Sequence, residues 1–322
     1  MLSILKEISA IACVDMPIGE TWTISRCRYQ SEDGAPGRLC IATGIHGDEL
    51  MGQLIAYDVA RRIQAHPEHL HGTVDLYPML NPLGLDIGER MVPSATHLDM
   101  NRAFPGNPDG TALESLCAQL MTDMLGADLV LDLHAGTQQK RELYQVRIAA
   151  AEPDALIDRA RALWPELIWV YPDKAAYSAS LTGALCREGT PALILEADEN
   201  RRRPQPAADA VTDGIFCTMR EMGIWSGESI APPTAAQEIP VIRSQQDVCR
   251  VACSRPGMYV PRERIGTHVQ AGDTLGVIVD ALHGEAVEEV KAPEGGLVFS
   301  QRCYSAVYPG TMIARLCRRE QA

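Results

Sequence analysis

The feature that most restricts this chain is an alternation that begins near residue 38. "RLCIATGI" is an apolar run of strand length, "ELMGQLIAYDVARRIQ" spaces its apolar residues as a helix does, and "GTVDLYPML" is again strand-like. The rhythm continues with a helix in "TALESLCAQLMTDML", strands in "ADLVLDLH" and near "ELYQVRIAA", and a helix from about Pro153. Another helix near "SASLTGALCRE", a buried strand in "PALILE" and a last helix over about 207–222 complete it. Such strands need cover on both sides, so the pattern implies an α/β fold: a mixed central sheet with helices on both faces. Ligands of these folds collect at the carboxyl ends of the strands, which makes the residues just after each strand the candidates for function.

The pattern changes at "GIWSGESIAPPTAAQEIP", rich in Gly, Pro, Ser and Ala, and a boundary is placed near residue 235. Residues 1–235 form the α/β unit. Residues 236–322 read as a small all-β unit of short strands split by glycines, among them "GMYV", "GDTLGVIVD", "EEVKAPEGGLVFS" and "YPGTMIARL". A chain of 322 residues with 46% apolar content fills such cores, and a net charge of −13 argues against a nucleic-acid partner. Lys6 and Glu7 interrupt the apolar N-terminal stretch, no signal-type cleavage region follows, and no apolar run is long enough to span a bilayer. A cytoplasmic protein is expected, with no membrane partner. The ten cysteines are scattered, and only Cys249 and Cys253 lie close together without further ligands to complete a zinc knuckle; reduced thiols are expected. Assembly is left open, a homo-oligomer included.

"GIHGDEL" follows the first strand of the alternation and gathers His46, Asp48 and Glu49 around two glycines. A histidine at a strand end and a glutamate in the first turn of the next helix are able to converge on one point. Zinc takes imidazole nitrogen and carboxylate oxygen, and a hydrolytic site uses three protein ligands with a fourth position for water. His134, at the end of "DLVLDLH", supplies the third from a second strand end. The alternative for the first pair is a helix cap, Glu49 favouring the positive end of the dipole. Asp132, two residues before His134 and on the same strand face, is placed to orient a ligand or to bond a backbone amide.

Hydrolysis also needs a group that accepts and returns a proton. Glu196 ends "PALILE" and emerges at the same sheet edge, where apolar surroundings raise a carboxyl pKa; Asp198 and Glu199 sit in the charged run "EADENRRR" and read as a solvated loop. The long loop "NPLGLDIGERMVPSATHLDMNRAFPGNP" contains Arg90, Asn101 and Arg102. Loops of that length in a compact domain are usually functional, and its arginines serve either anion recognition or surface ion pairs.

"GIHGDE", "NPLG…ER…DMNRAFPG", "DLHAGT" and Glu196, in that order, resemble the succinylglutamate desuccinylase and aspartoacylase family of the zinc carboxypeptidase superfamily. The resemblance spans about residues 38–225 and extends to the β unit. It implies a zinc carboxypeptidase-like fold and one Zn2+ per subunit on His46, Glu49 and His134. It further implies Glu196 as general base and acid, Arg90 assisting the carbonyl oxygen, and Asn101 with Arg102 holding a substrate carboxylate. The implied substrate is a small N-acylated amino acid whose amide bond is hydrolysed, with the acyl group open. Met100 stands where the family often has Leu, and Ala197 follows Glu196 where it often has Gly. A peptide-cleaving metallocarboxypeptidase and a non-catalytic carrier or binding protein are the alternatives.

The C-terminal stretch also looks like the barrel-sandwich hairpins of biotinyl and lipoyl carrier domains. Lys291, however, sits in "VKAPEGG" without an "MKM" or "DKA" at a hairpin tip, and a swinging arm is rejected. In the family this unit covers the mouth of the site, with Tyr259, Tyr304 and Tyr308 as possible contacts. His66, His69 and His71 in "AHPEHLHG" are read as an exposed connection lacking a carboxylate in reach.

Overall fold

A computed structural model of the chain describes residues 4–17, 19–34, 36–93, 98–136, 139–149, 153–171, 175–197, 204–228, 241–262 and 264–318. Its centre is a nine-stranded mixed sheet. In chain order the strands of this first half are β1 (Ile4–Asp15), β2 (Thr21–Ser31), β3 (Arg38–Thr43), β4 (Thr73–Tyr77), β5 (Leu129–Ala135), β6 (Lys140–Glu142), β7 (Gln145–Ala149), β8 (Leu167–Tyr171), β9 (Ala192–Ala197) and β10 (Val241–Ser244). The sheet runs β1-β2-β4-β3-β5-β9-β7-β8-β10, with β6 elsewhere. Strands β4, β3, β5 and β9 are parallel neighbours, and β9 meets β7 antiparallel.

The helices are α1 (Met51–Ala65), α2 (Pro82–Ile87), α3 (Ala112–Met124), α4 (Pro153–Ala162), α5 (Ala175–Ser178), α6 (Leu181–Arg187) and α7 (Pro204–Glu221). The expected mixed sheet with helices on both faces is therefore present. Helices α1, α4 and α7 pack on one face over Leu39, Ile41, Leu131, Leu133, Leu193 and Leu195. Helices α3 and α6 cover the other, where Cys40, Ala42, Val130 and Ala192 point. Because side chains alternate along a strand, burying Leu131, Leu133, Leu193 and Leu195 under α1 and α7 turns Asp132, His134, Ile194 and Glu196 to the opposite face. The same alternation buries Val146 and Ile148 of β7 with the first set and turns Gln145 and Arg147 toward Glu196.

The C-terminal strands are β11 (Val248–Ala252), β12 (Gly257–Pro261), β13 (His268–Val269), β14 (Thr274–Asp280), β15 (Glu285–Lys291), β16 (Gly296–Arg302), β17 (Ser305–Val307) and β18 (Met312–Cys317). They form two antiparallel sheets, β11-β18-β16-β13 and β15-β14-β12-β17, closed over Tyr259, Leu275, Ile278, Val298 and Leu316. "EEVKAPEGGLVFS" is two strands rather than one, β15 and β16. The boundary expected near residue 235 lies outside the described residues. Strands cross between the sheets: β6 adds to β16, and β10 joins the large sheet beside β8. Phe299 and Cys317 pack on Leu167 and Trp169, which seats the second unit over the β7–β8 end of the face that carries Glu196.

One element is an addition, and two further expectations meet corrections. The long N-terminal hairpin β1–β2 carries little apolar signature because most of β1 is exposed. Glu49 is not in the first turn of a helix: α1 starts at Met51, its cap residue is Leu50, and its first turn holds no acid, so the helix-cap alternative fails. Glu68 lies 3.6 Å from His66 and 3.7 Å from His69, so that histidine cluster does have a carboxylate in reach, on the surface. All ten cysteines are unpaired with one another, and no helix among the described residues is long and apolar enough to cross a membrane.

Candidate metal centre and active site

His46 and Glu49 sit in the turn after β3, and two glycines shape it. Gly44 has φ +69°, the left-handed region that glycine enters freely. A Cβ on Gly47 would lie 2.0 Å from the backbone carbon of Gly84, so only glycine lets this turn press against α2. His134 leaves β5 in register beside Glu196 of β9. His46 Nδ1 is 2.9 Å from Glu49 Oε1, His134 Nδ1 is 3.0 Å from Glu49 Oε2, and the two Nδ1 atoms are 3.2 Å apart. Among the described residues these three form a buried group able to hold a metal ion.

The outer partners decide which ring nitrogen faces inward. His46 Nε2 is 3.1 Å from Asp99 Oδ1, and His134 Nε2 is 3.1 Å from Asp132 Oδ2. An ionised carboxylate only accepts, so each Nε2 carries the proton, and a neutral ring then turns its Nδ1 lone pair toward Glu49. Two lone pairs and a carboxylate converging in a buried space call for a cation. Burial opposes charged imidazoles, yet Glu49 and Asp99 raise the pKa of His46, and Asp132 and Glu49 raise that of His134. Burial likewise opposes ionised Glu49, but His46 and His134 hold it well below the usual carboxylate range. Donors around a tetrahedral zinc are roughly 3.3–3.6 Å apart, about 0.1–0.7 Å beyond the distances seen here. The donor set fits zinc.

Arg90 is half-exposed and donates to Glu49 Oε1 at 2.8 Å and toward Asp99 Oδ2 at 3.4 Å. Asn81 steadies its loop, with Oδ1 capping α2 and Nδ2 reaching the carbonyl of Met91 at 3.3 Å. Asn101 is buried in a 3-10 turn at Met100–Arg102; its Oδ1 accepts from Leu181 N at 2.9 Å and its Nδ2 is 3.4 Å from His134 Nε2. Arg102 is exposed, donating to the Asn101 carbonyl at 2.5 Å. Asp132 bonds a metal-ligand candidate as well as the Thr182 hydroxyl, at 3.2 Å, rather than a backbone amide. Asp48 lies beside the cluster, its pKa raised chiefly by burial. Asp198 and Glu199 fall outside the described residues.

His46, Glu49, Arg90, Asn101, Arg102, His134 and Glu196 all line one cavity of about 260 Å³. Sequence reasoning missed others in the same wall: Lys140, Arg147, Tyr171, Tyr177 and Arg315. Arg147 Nη1 is 2.6 Å from Glu196 Oε1. Burial raises the pKa of Glu196 although Arg147 opposes it, and Glu142 adds to the rise. Asp99, which ties His46 to Arg90, was also missed, although it stands inside the quoted "DMNR". Tyr259 lies in the core of the second unit, donating to the Leu275 carbonyl at 2.7 Å, whereas Tyr304 and Tyr308 are exposed.

The mixed α/β sheet has a metallocarboxypeptidase-like fold. Its fold is shared by a metallo-carboxypeptidase from Burkholderia cenocepacia, at TM-score 0.52 and 14% identity over 68% of this chain and 64% of that one. Within that class, residues 36–221 match the succinylglutamate desuccinylase/aspartoacylase catalytic domain, and the chain belongs to this family of deacylases. An N-alpha-acetyl-L-2,4-diaminobutyric acid deacetylase of Halomonas elongata is 28% identical over 284 residues, 84% of this chain and 79% of the relative. The product-bound ectoine utilization protein EutE (DoeB) of Ruegeria pomeroyi has TM-score 0.82, at 20% identity over 99% of this chain and 98% of that one. A succinylglutamate desuccinylase/aspartoacylase from Rhodobacter sphaeroides has TM-score 0.80, at 22% identity over 99% and 95%. The likeness to these solved structures is one of fold.

Proposed function

We propose that the protein is a zinc-dependent amidohydrolase that removes an acyl group, of acetyl or succinyl type, from a small N-acylated amino acid. The observation that carries this is the convergence of His46 Nδ1, Glu49 and His134 Nδ1 beside Glu196 in one small cavity of a deacylase-family chain. A cavity of about 260 Å³ suits a small substrate better than an extended peptide, being near the low end of ligand pockets, ~300–1,000 Å³. The Halomonas relative's activity on an N-acetylated diamino acid supports the acetyl option.

In this reading His46, Glu49 and His134 hold the ion, which supplies Lewis acidity toward the amide carbonyl and makes water acidic near neutral pH. Glu196 takes the proton of the attacking water and returns it to the departing amine nitrogen. Its Oε1 is engaged by Arg147, so the transfer is assigned to Oε2. Arg90 lies against Glu49 and, in the cavity wall, stabilises charge developing on the carbonyl oxygen. Arg102, which lines the cavity, grips a substrate carboxylate; Asn101, held through its Oδ1 by Leu181 N, fixes the Arg102 turn and offers its amide hydrogens. Residues 236–322, a unit of their own in this reading, frame the mouth through Arg315.

The test is a panel of N-acetyl and N-succinyl amino acids beside dipeptides, with zinc-loaded protein and with Glu196→Gln. Turnover confined to N-acyl amino acids and abolished in Glu196→Gln, with zinc retained, is the expected result. Turnover of dipeptides alone, or an active Glu196→Gln, overturns it.

A further inference from the structure

Glu196 is tied to the second unit by a chain of buried and half-buried charges. Arg147 donates Nη1 to Glu196 Oε1 at 2.6 Å and Nη2 to Glu142 Oε2 at 2.9 Å. Glu142, fully buried, also takes Lys140 Nζ at 3.1 Å and Arg315 Nη1 at 3.1 Å. Both guanidinium groups lie near one indole, Arg147 at 5.3 Å and Arg315 at 5.4 Å from the ring centre of Trp169. Each link comes from a different strand: Glu196 from β9, Arg147 from β7, Glu142 from β6 and Arg315 from β18. Strand β6 is paired to β16, with Glu142 opposite Ser300. Three cations face two carboxylates, and the guanidinium that reaches Glu196 is locked on its other edge.

We propose that Arg147 is a positioning residue for Glu196, held in place by Glu142 and, through Glu142, by Arg315 of the second unit. This rests on the role given to Glu196 above. A guanidinium is a planar fork with little freedom once two of its nitrogens are engaged by different carboxylates, so it fixes the position of the carboxylate oxygen it holds. A lone glutamate at the end of a strand has three side-chain torsions to settle; here one oxygen is fixed and the other is left for proton transfer. Misplacing a reacting group by about 1 Å costs on the order of a hundredfold in rate, so such fixing acts on turnover more than on binding. A direct role for Arg147 in binding a substrate carboxylate predicts the reverse.

The test uses zinc-loaded full-length protein and the N-acetyl or N-succinyl amino acid turned over best in the panel above. In Arg147→Gln we expect kcat to fall about tenfold or more, with KM within about threefold and zinc content unchanged. Arg147→Lys, which keeps the charge, recovers part of kcat. Arg315→Gln lowers kcat less, and the double variant is no worse than Arg147→Gln alone, because both act along one path. Should Arg147→Gln fail to fold, the Glu142→Gln/Arg147→Gln pair removes one charge of each sign and is expected to show the same split. A crystal structure of the Arg147 variant is expected to have the Glu196 carboxylate displaced. An unmoved carboxylate, a rise in KM at unchanged kcat, or additive effects of Arg147 and Arg315 overturns the proposal. Absence of turnover from the entire panel overturns the deacylase reading instead, and the crystal structure still decides whether Arg147 positions Glu196.

Discussion

His46 Nδ1 and His134 Nδ1 face each other at 3.2 Å, although 88 residues separate them in the chain. Neither ring is free to turn its other nitrogen inward, because Asp99 and Asp132 hold both Nε2 atoms. Asp99→Asn and Asp132→Asn should each lower zinc affinity about 10–100-fold, as loss of an outer carboxylate partner does elsewhere. Competition against a chromogenic chelator measures this, and affinity within twofold of the parent in both variants would refute the assigned ring orientation. His134→Ala should lose zinc and turnover together.

Gly47 is tested by a single methyl group. Its Cβ would sit 2.0 Å from the Gly84 carbon and 2.3 Å from Leu85 N, both backbone atoms. Gly47→Ala should therefore lose about 1–3 kcal/mol of stability by overpacking and displace His46 and Glu49 as the turn backs away. Thermal unfolding and zinc stoichiometry check it; an unchanged melting temperature with full zinc content contradicts the close approach.

Glu142 makes stability depend on pH in a defined direction. Burial alone would raise its pKa, but Lys140, Arg147 and Arg315 together hold it far below the ordinary glutamate value of 4.5. A depressed folded-state pKa contributes stability that is fully present above the unfolded value and is lost as pH falls below it toward the folded one. Glu142→Gln should flatten the loss of stability below about pH 4.5. At pH 7 it should cost about 3–5 kcal/mol, since it leaves the buried Arg147 and the half-buried Lys140 and Arg315 without their partner. Urea unfolding from pH 7 to pH 3 measures both; a parallel pH profile in the variant would show that Glu142 is not the titrating group.

Met100 provides the contrasting case. It is fully buried among Ile45, Val92, Phe104 and Leu113, and leucine has nearly its volume. Met100→Leu should cost less than about 1.5 kcal/mol and leave turnover within about twofold. A large loss of activity would mean that this side chain sets the neighbouring Asn101 turn.

The parts of the site that stand directly after a strand were legible in sequence. His46, His134 and Glu196 each follow or end a buried apolar run, so the sheet alone brings them to one edge. Glu49 was placed correctly in the chain and wrongly in its element, because the turn continues two residues longer than the apolar spacing suggests before α1 begins. Arg147, Glu142 and Arg315 were not read, since their meaning depends on β7 lying antiparallel to β9 and on β6 crossing to the second unit. One signal was available: in "QVRIA" the polar Gln145 and Arg147 alternate with the buried Val146 and Ile148, which marks a charge facing inward. The N-terminal hairpin escaped for the opposite reason, its outer strand being too wet to leave an apolar trace.

The traded strands carry a mechanical consequence. With β6 bonded into the β16 sheet and β10 into the nine-stranded sheet, these two sheets are dovetailed, and neither swings away without tearing a row of backbone hydrogen bonds and the Arg315–Glu142 pair. The rim of the cavity on that side is a fixed frame.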